Sequence, residues 1–345
     1  MRRAAILMTG MLLTLAIAVV AGADAASPPA GSSTGTGSVF VPNPVQSLGL
    51  EQLTDQKDAD GAVPLAAYHD VTLTHLDGSG FLSGDYARVA SSTGNLAQSA
   101  ANVFRYTRSQ DEFEQVMAYY WVTQAQQYIH SLGFGETRRP IDNGPQAVRI
   151  DQLGQDNSFA TDHPKNELRF GKGGVDDAED AEVILHEYGH AIHFSQGFSF
   201  ASEDAGAISE GFGDSWAVTV ADVVSQALGV PNREPLPCVA DWDSTSYTTV
   251  VPHCLRRVDT DLHYPTDLDG DVHHDGQIWS RALWDIRQAL GHVKADTLIL
   301  QGSFDFPGTS MPDLATRTVA AAQALYGNAA ARAVRQAFAA RGILA

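Results

Sequence analysis

Three features of this sequence predict an α+β protein, β-rich towards its N-terminal end and mainly helical towards its C-terminal end. Between Val39 and about Ala90 short apolar runs are broken by turn residues, the signature of short strands. From Ser109 to Gly133 the apolar spacing lengthens to that of one long helix, and beyond Asp176 helical patterns dominate. At 345 residues the chain has room for two lobes or two small domains, and its 44% hydrophobic content is ordinary for a globular protein.

The first element is a targeting signal. Arg2 and Arg3 form a short basic start, Ile6 to Val20 is largely apolar, and Ala23-Asp24-Ala25 fits a small-x-small cleavage site, so residues 1–25 read as a signal peptide. An uncleaved anchor is the competing reading, but the apolar run falls short of the ~20 residues that a spanning helix needs. Cleavage removes Arg2, Arg3 and Asp24 and takes the net charge from −19 to −20. Such an acid surplus speaks against a nucleic-acid partner, which needs clustered Lys and Arg, and against a basic membrane-surface patch. It suits a soluble secreted surface, and Ca2+ is a further candidate ligand for some of the acidic groups.

Residues 26–38, rich in Ser, Thr, Pro and Gly, read as a flexible linker, and residues 39–104 as a β-rich N-terminal region. Within it Tyr68 to Asp77 alternates weakly and Asp77-Gly78 is a turn signal. The long helix opens on Asp111, Glu112 and Glu114, which favour a helix N-terminus. It carries a wide apolar face through Phe113, Met117, Tyr120 and Trp121, and Gly133 ends it. That aromatic and Met stripe is core on burial grounds. Pro140 to Leu153 reads as a turn followed by a strand.

The chemistry is concentrated in Asp180 to His193. His186-Glu187-Tyr188-Gly189-His190 is an H-E-x-x-H on a helix. Side chains four apart share a helical face, so His186 and His190 converge on one metal ion while Glu187 stands beside them as a base. Zinc suits two neutral imidazoles and a carboxylate, with a fourth position left for water. Asp176 or Asp177 is expected to cap this helix, and Glu179 and Asp180 to complement its dipole. Ala207 to Trp216 reads as a second helix. Its Glu210 can complete the ligand set, and Asp214, one turn on, can accept the free N–H of a ligating histidine. A third histidine six residues after His190 would mark another zinc class, but that position is Gln196, and His193 reads as a partly exposed helix histidine. Cys238 and Cys254, the only cysteines, are expected to form one disulfide in a secreted chain.

The pair H-E-x-x-H and E-x-x-x-D at this spacing resembles the thermolysin-like zinc endopeptidases, the gluzincins, and most closely the fungalysin branch. The resemblance covers roughly residues 105–345. It implies a zincin fold with a β-rich N-terminal lobe, a helical C-terminal lobe and the active-site helix between them, and residues 105–345 as the catalytic domain. It implies one catalytic Zn2+ on His186, His190 and Glu210, with Asp214 behind them and Glu187 as general base towards a zinc-activated water. By the same resemblance Asn157 and Ser158 belong to an edge strand that pairs with extended substrate, and Leu168-Arg169-Phe170 to the next strand. Arg256, eight residues before Tyr264, would hold a substrate carbonyl, with Arg257 as the alternative. The V-H-x-x-G at Val272-His273 makes His273 the oxyanion histidine and His274 a bystander, with Asp267, Asp269 or Asp271 to orient it. One departure stands out: the family tyrosine that shares the oxyanion is Ala201 here, beside Phe200, leaving Tyr188 or Tyr264 as substitutes.

The implied protein is a secreted, monomeric zinc metalloendopeptidase acting on protein or peptide substrates, with no nucleic-acid partner and no membrane association after signal cleavage. A secreted zinc-stabilised binding module with an inactive protease-like site is the alternative, and an exopeptidase would need a terminus-binding charge that no motif supplies. The tail from Asp313 reads as packing helices broken at Gly327.

Overall fold

The computed structural model describes residues 33–90, 93–142, 144–163 and 166–345. The signal-peptide segment 1–25 and the first part of the expected linker lie outside the described residues. The order of elements is β1 (Ser33–Val39), α1 (Pro44–Leu48), β2 (His69–Leu76), β3 (Ala87–Val89), β4 (Val103–Phe104), α2 (Asp111–Ser131), β5 (Gln146–Leu153), β6 (Phe159–Thr161) and β7 (Glu167–Gly171). Then follow α3 (Ala181–Ser195), α4 (Glu203–Leu228), β8 (Cys238–Val239), β9 (Arg256–Arg257), α5 (Val272–Leu290), α6 (His292–Ser303) and α7 (Met311–Ala340). This is an α+β protein whose strands lie mostly before its longest run of helices.

Two sheets carry the first half. One has the order β2-β1-β4, with β1 antiparallel to β2 and parallel to β4. The other has the order β3-β5-β7-β6, parallel except for β6, which runs antiparallel to β7 along the edge. The expected linker is corrected here: Ser33–Val39 is a strand, not a flexible tether. Its small residues let the backbone lie close to α2; a Cβ at Gly37 would come within 2.8 Å of Val116. The division at residue 104 also separates no cores. Strand β3 joins the sheet of β5, and one buried cluster runs from Val39 to Ile343.

Helix α2 is central, packed against both sheets and against α3 and α4. Its burial extends beyond an apolar stripe to Gln115 and Gln126, whose polar groups are satisfied inside: Ala97 N donates to Gln115 Oε1 at 2.9 Å, and Gln126 Nε2 donates to Ile141 O at 2.8 Å.

Helix α3 packs against β6, β7 and α4. Its cap is Asp180, which accepts from Glu182 N at 2.9 Å and from the amides of Trp242 and Asp243 at 3.2 Å. The expectation of Asp176 or Asp177 as cap is corrected, because a one-turn 3-10 helix over Asp177–Glu179 intervenes. Glu179 is spent on a buried ion pair with Arg108 (Nη2 to Oε2, 2.8 Å) rather than on the helix dipole. Ser202 caps α4 and Asp271 caps α5, each accepting a backbone N–H of the first turn. Gly327, at φ 78°, kinks α7. Cys238 and Cys254 are bridged with Cα atoms 5.1 Å apart, closing the segment between β8 and β9. Among the described residues no helix is long and apolar enough to cross a membrane.

Candidate metal centre

His186 and His190 project from one face of α3, and Glu210 reaches them from α4. The two helices come close because glycines face each other. A Cβ at Gly189 would meet Gly213 Cα at 2.9 Å, and one at Gly213 would meet His186 Nδ1 at 2.8 Å. His186 Nε2 lies 3.2 Å from Glu210 Oε2, and His190 Nε2 lies 3.5 Å from Glu210 Oε1. Each imidazole is oriented from behind: His186 Nδ1 is 2.9 Å from Asp214 Oδ1, and His190 Nδ1 is 2.8 Å from Ser209 Oγ. Both Nε2 atoms therefore face the carboxylate. Zinc ligands about 2.0–2.2 Å from the ion in a tetrahedron lie about 3.3–3.6 Å from one another. The observed spacings, one to each oxygen of Glu210, come close to that, and Glu210 Oε2 is buried facing His186 Nε2 and His273 Nε2. This donor set fits zinc.

Arg256 clamps Asp214 with two bonds of 2.7 Å, Nε to Oδ2 and Nη2 to Oδ1. Burial opposes ionisation of Asp214, but Arg256 and His186 outweigh it and hold the carboxyl well below its usual range. Glu210 is likewise held low, its burial outweighed by His190, His186 and His273. Glu187 differs. Burial lifts it to about 7, with Glu210 and Asp177 adding and His186 and Arg256 opposing, and its Oε2 is buried without a partner. Two carboxyl groups of one site, Glu187 and Glu210, thus sit in opposite electrostatic settings.

These residues line a cavity of about 660 Å³, walled in part by Val183, Val239, Ala240 and Leu255. Asn157 and Ser158 lie at its wall just before β6 rather than within the strand, and Ser158 Oγ donates to Asp177. Arg256 and His273 also line it. His273 Nε2 is 3.5 Å from Glu210 Oε2, and its Nδ1 is 3.2 Å from Asp271 Oδ1. His274 turns instead to Asp269 and Asp275, and Arg257 pairs with Asp259 outside the cavity wall.

Three expectations are corrected. His193 is 1% exposed, stacked between Phe198 and Phe212, and within 3.0 Å of Ser209 Oγ; the neighbouring helix covers the face that a lone-helix reading leaves open. Tyr188 is buried on the far side of α3 with its hydroxyl on Gln126 and Asp142, because it is offset from the histidine face. Tyr264 donates to Asp204. Neither tyrosine lines the cavity, whereas Tyr247 does. The sequence reading also passed over Ser209, Asp177 and Asp243. Adjacency to Glu210 was a usable signal for Ser209; nothing local marks Asp243, which reaches the site only through the disulfide-closed segment. Among the described residues, other acidic groupings are Asp111/Glu114/Asp151, Asp156/Asp177/Asp243 and Asp269/His274/Asp275.

No family model and no curated protein matches this sequence. Among solved structures, the precursor of protealysin, a metalloproteinase from Serratia proteamaculans, is similar over 75% of this chain and 87% of its own, with a TM-score of 0.52 at 17% identity. At that identity the likeness is one of fold, so this chain shares the fold of a metalloproteinase precursor.

Proposed function

We propose that this chain is a secreted zinc-dependent endopeptidase. The carrying observation is the convergence of His186 Nε2, His190 Nε2 and the Glu210 carboxylate at 3.2 and 3.5 Å beside a buried, unpartnered Glu187 carboxylate, all on one cavity. The metalloproteinase fold supports the same reading. The finer likeness to the fungalysin branch, with 105–345 as its catalytic unit, rests on the sequence motifs.

Zinc held by His186, His190 and Glu210 would supply Lewis-acid polarisation and lower the pKa of water at the site. Glu187 accepts the proton of the attacking water and passes it to the leaving nitrogen as the C–N bond breaks. Asp214 fixes the tautomer of His186, and Arg256 fixes Asp214. His273 Nε2 faces the same space and donates to the oxygen on which charge develops, with Asp271 orienting its ring. An extended peptide adds along β6, the outermost strand of its sheet, past Asn157 and Ser158.

The test is Glu187→Gln, which keeps shape and removes the base. The variant should fold and retain zinc while cleavage of peptides blocked at both ends falls by at least ~100-fold. A zinc-loaded wild type that cleaves no blocked peptide in a broad library would leave the binding-module reading in its place.

A further inference from the structure

Asp177 and Asp243 line the cavity yet are only 2% and 3% exposed, and Asp177 Oδ1 and Asp243 Oδ1 have no hydrogen-bond partner. Asp156 joins them, each of the three offering a carboxylate oxygen within 4.8 Å of the others. Partners hold the cluster in shape: Ser158 Oγ donates to Asp177, and Tyr247 OH donates to Asp156 Oδ1 at 2.5 Å and to its carbonyl at 2.8 Å. Among the described residues no cationic side chain is ion-paired with any of the three. The charged groups bearing on Asp243 include Asp177, Asp156 and Asp180, and those bearing on Asp177 include Asp156, Asp243 and Glu187, all of them acids. Such buried acids are relieved either by holding protons between them or by a ligand that brings the counter-charge.

We propose that Asp156, Asp177 and Asp243 form a subsite for the positively charged side chain of a peptide substrate, a lysine or an arginine. This rests on the peptidase reading of the same cavity. A lysine ammonium carries three N–H donors, one for each carboxylate, and an arginine fork takes two in parallel. The same cavity is lined by the aliphatic Val183, Val239, Ala240 and Leu255, surface that suits a methylene stem whose charged head reaches the acids. A divalent cation shares the charge chemistry, but it would bring six to eight oxygens around itself. The opening of the cluster onto the peptide cavity favours the substrate.

The experiment uses the full chain and peptides blocked at both ends that differ at one position at a time, with lysine, arginine or norleucine there. Cleavage is read as kcat/KM on wild type, and binding as Kd on wild type and on Glu187→Gln, each with and without added calcium. At one position lysine or arginine should be preferred over norleucine by roughly 30-fold or more, as for a buried charge pair against an uncharged isostere. Asp243→Asn and Asp177→Asn should each reduce that ratio at least tenfold. The ratio compares two peptides on one protein, so partial misfolding of a variant cancels. A ratio near one at every position overturns the subsite, as does a cationic preference that survives both substitutions. Calcium bound at one equivalent with a ratio near one makes the cluster a metal site instead. If nothing is cleaved, the peptidase reading falls alone and the binding ratio still decides; absence of any binding overturns both.

Discussion

Removing Asp214 should damage two separable properties. The carboxylate is 1% exposed and takes three contacts, two from Arg256 at 2.7 Å and one with His186 Nδ1 at 2.9 Å. Asp214→Ala leaves the Arg256 guanidinium buried without its counter-charge. Breaking one side of a buried pair costs about 3–5 kcal/mol, and because the Arg256 side chain keeps 14% exposure, the lower part of that range, about 3–4 kcal/mol, applies. At about 1.5 °C per kcal/mol for a chain of this length, the metal-free protein should lose roughly 4–6 °C in Tm. Independently, His186 loses its orienting acceptor, and zinc affinity should fall about 10–100-fold. Calorimetry of the stripped protein reads the first effect, and competition with a chromophoric chelator reads the second. The double variant Asp214→Asn/Arg256→Gln removes both charges. It should recover much of the Tm without recovering the full affinity, because the charged carboxylate that orients His186 is still missing. An Asp214→Ala protein with wild-type Tm and wild-type zinc affinity would refute the reasoning.

Further outcomes follow from the same geometry. His273→Ala should lower kcat by about 10²–10³ with a smaller change in KM, whereas His274→Ala, turned towards Asp269 and Asp275, should stay near wild type in steady-state assays. Replacing both Cys238 and Cys254 with serine opens a link of sequence separation 16 and should cost on the order of 3 kcal/mol in urea unfolding. Burial lifts Asp296 to about 7 from the ordinary 3.8 of an aspartic acid, the bond from Tyr128 and the charge of Arg287 opposing it. Between those values the folded protein holds more protons than the unfolded chain, so this group makes stability fall as pH rises through the window. Asp296→Asn should therefore flatten the fall in urea midpoint between about pH 4 and pH 7, and an unchanged slope would count against the buried acid. Glu210→Ala should lose bound zinc by metal analysis; full occupancy would remove Glu210 from the ligand set.

Much of this protein is written in local patterns. The period of a helix places His186 and His190 on one face and Glu187 beside them, because side chains four apart stack along α3 whatever the rest of the chain does. The second helix announces itself the same way through Glu210 and Asp214, and the lone pair of cysteines leaves one intramolecular partner choice. Contacts between distant segments are another matter. The Ser, Thr and Gly run of β1 looks like a tether until α2 is laid against it, since composition records small side chains but not the surface that needs them. His193 looks exposed on its own helix and is buried by Phe198 of the following loop and Phe212 of the next helix. Asp180 rather than Asp176 or Asp177 caps α3, because only the chain fold presents the amides of Trp242 and Asp243 to it. Asp156, Asp177 and Asp243 are unremarkable acids along an acidic chain. They become a cluster only when the loop before β6, the turn before α3 and the disulfide-closed segment meet, because electrostatic cost depends on distance and burial, and neither is a property of sequence neighbours.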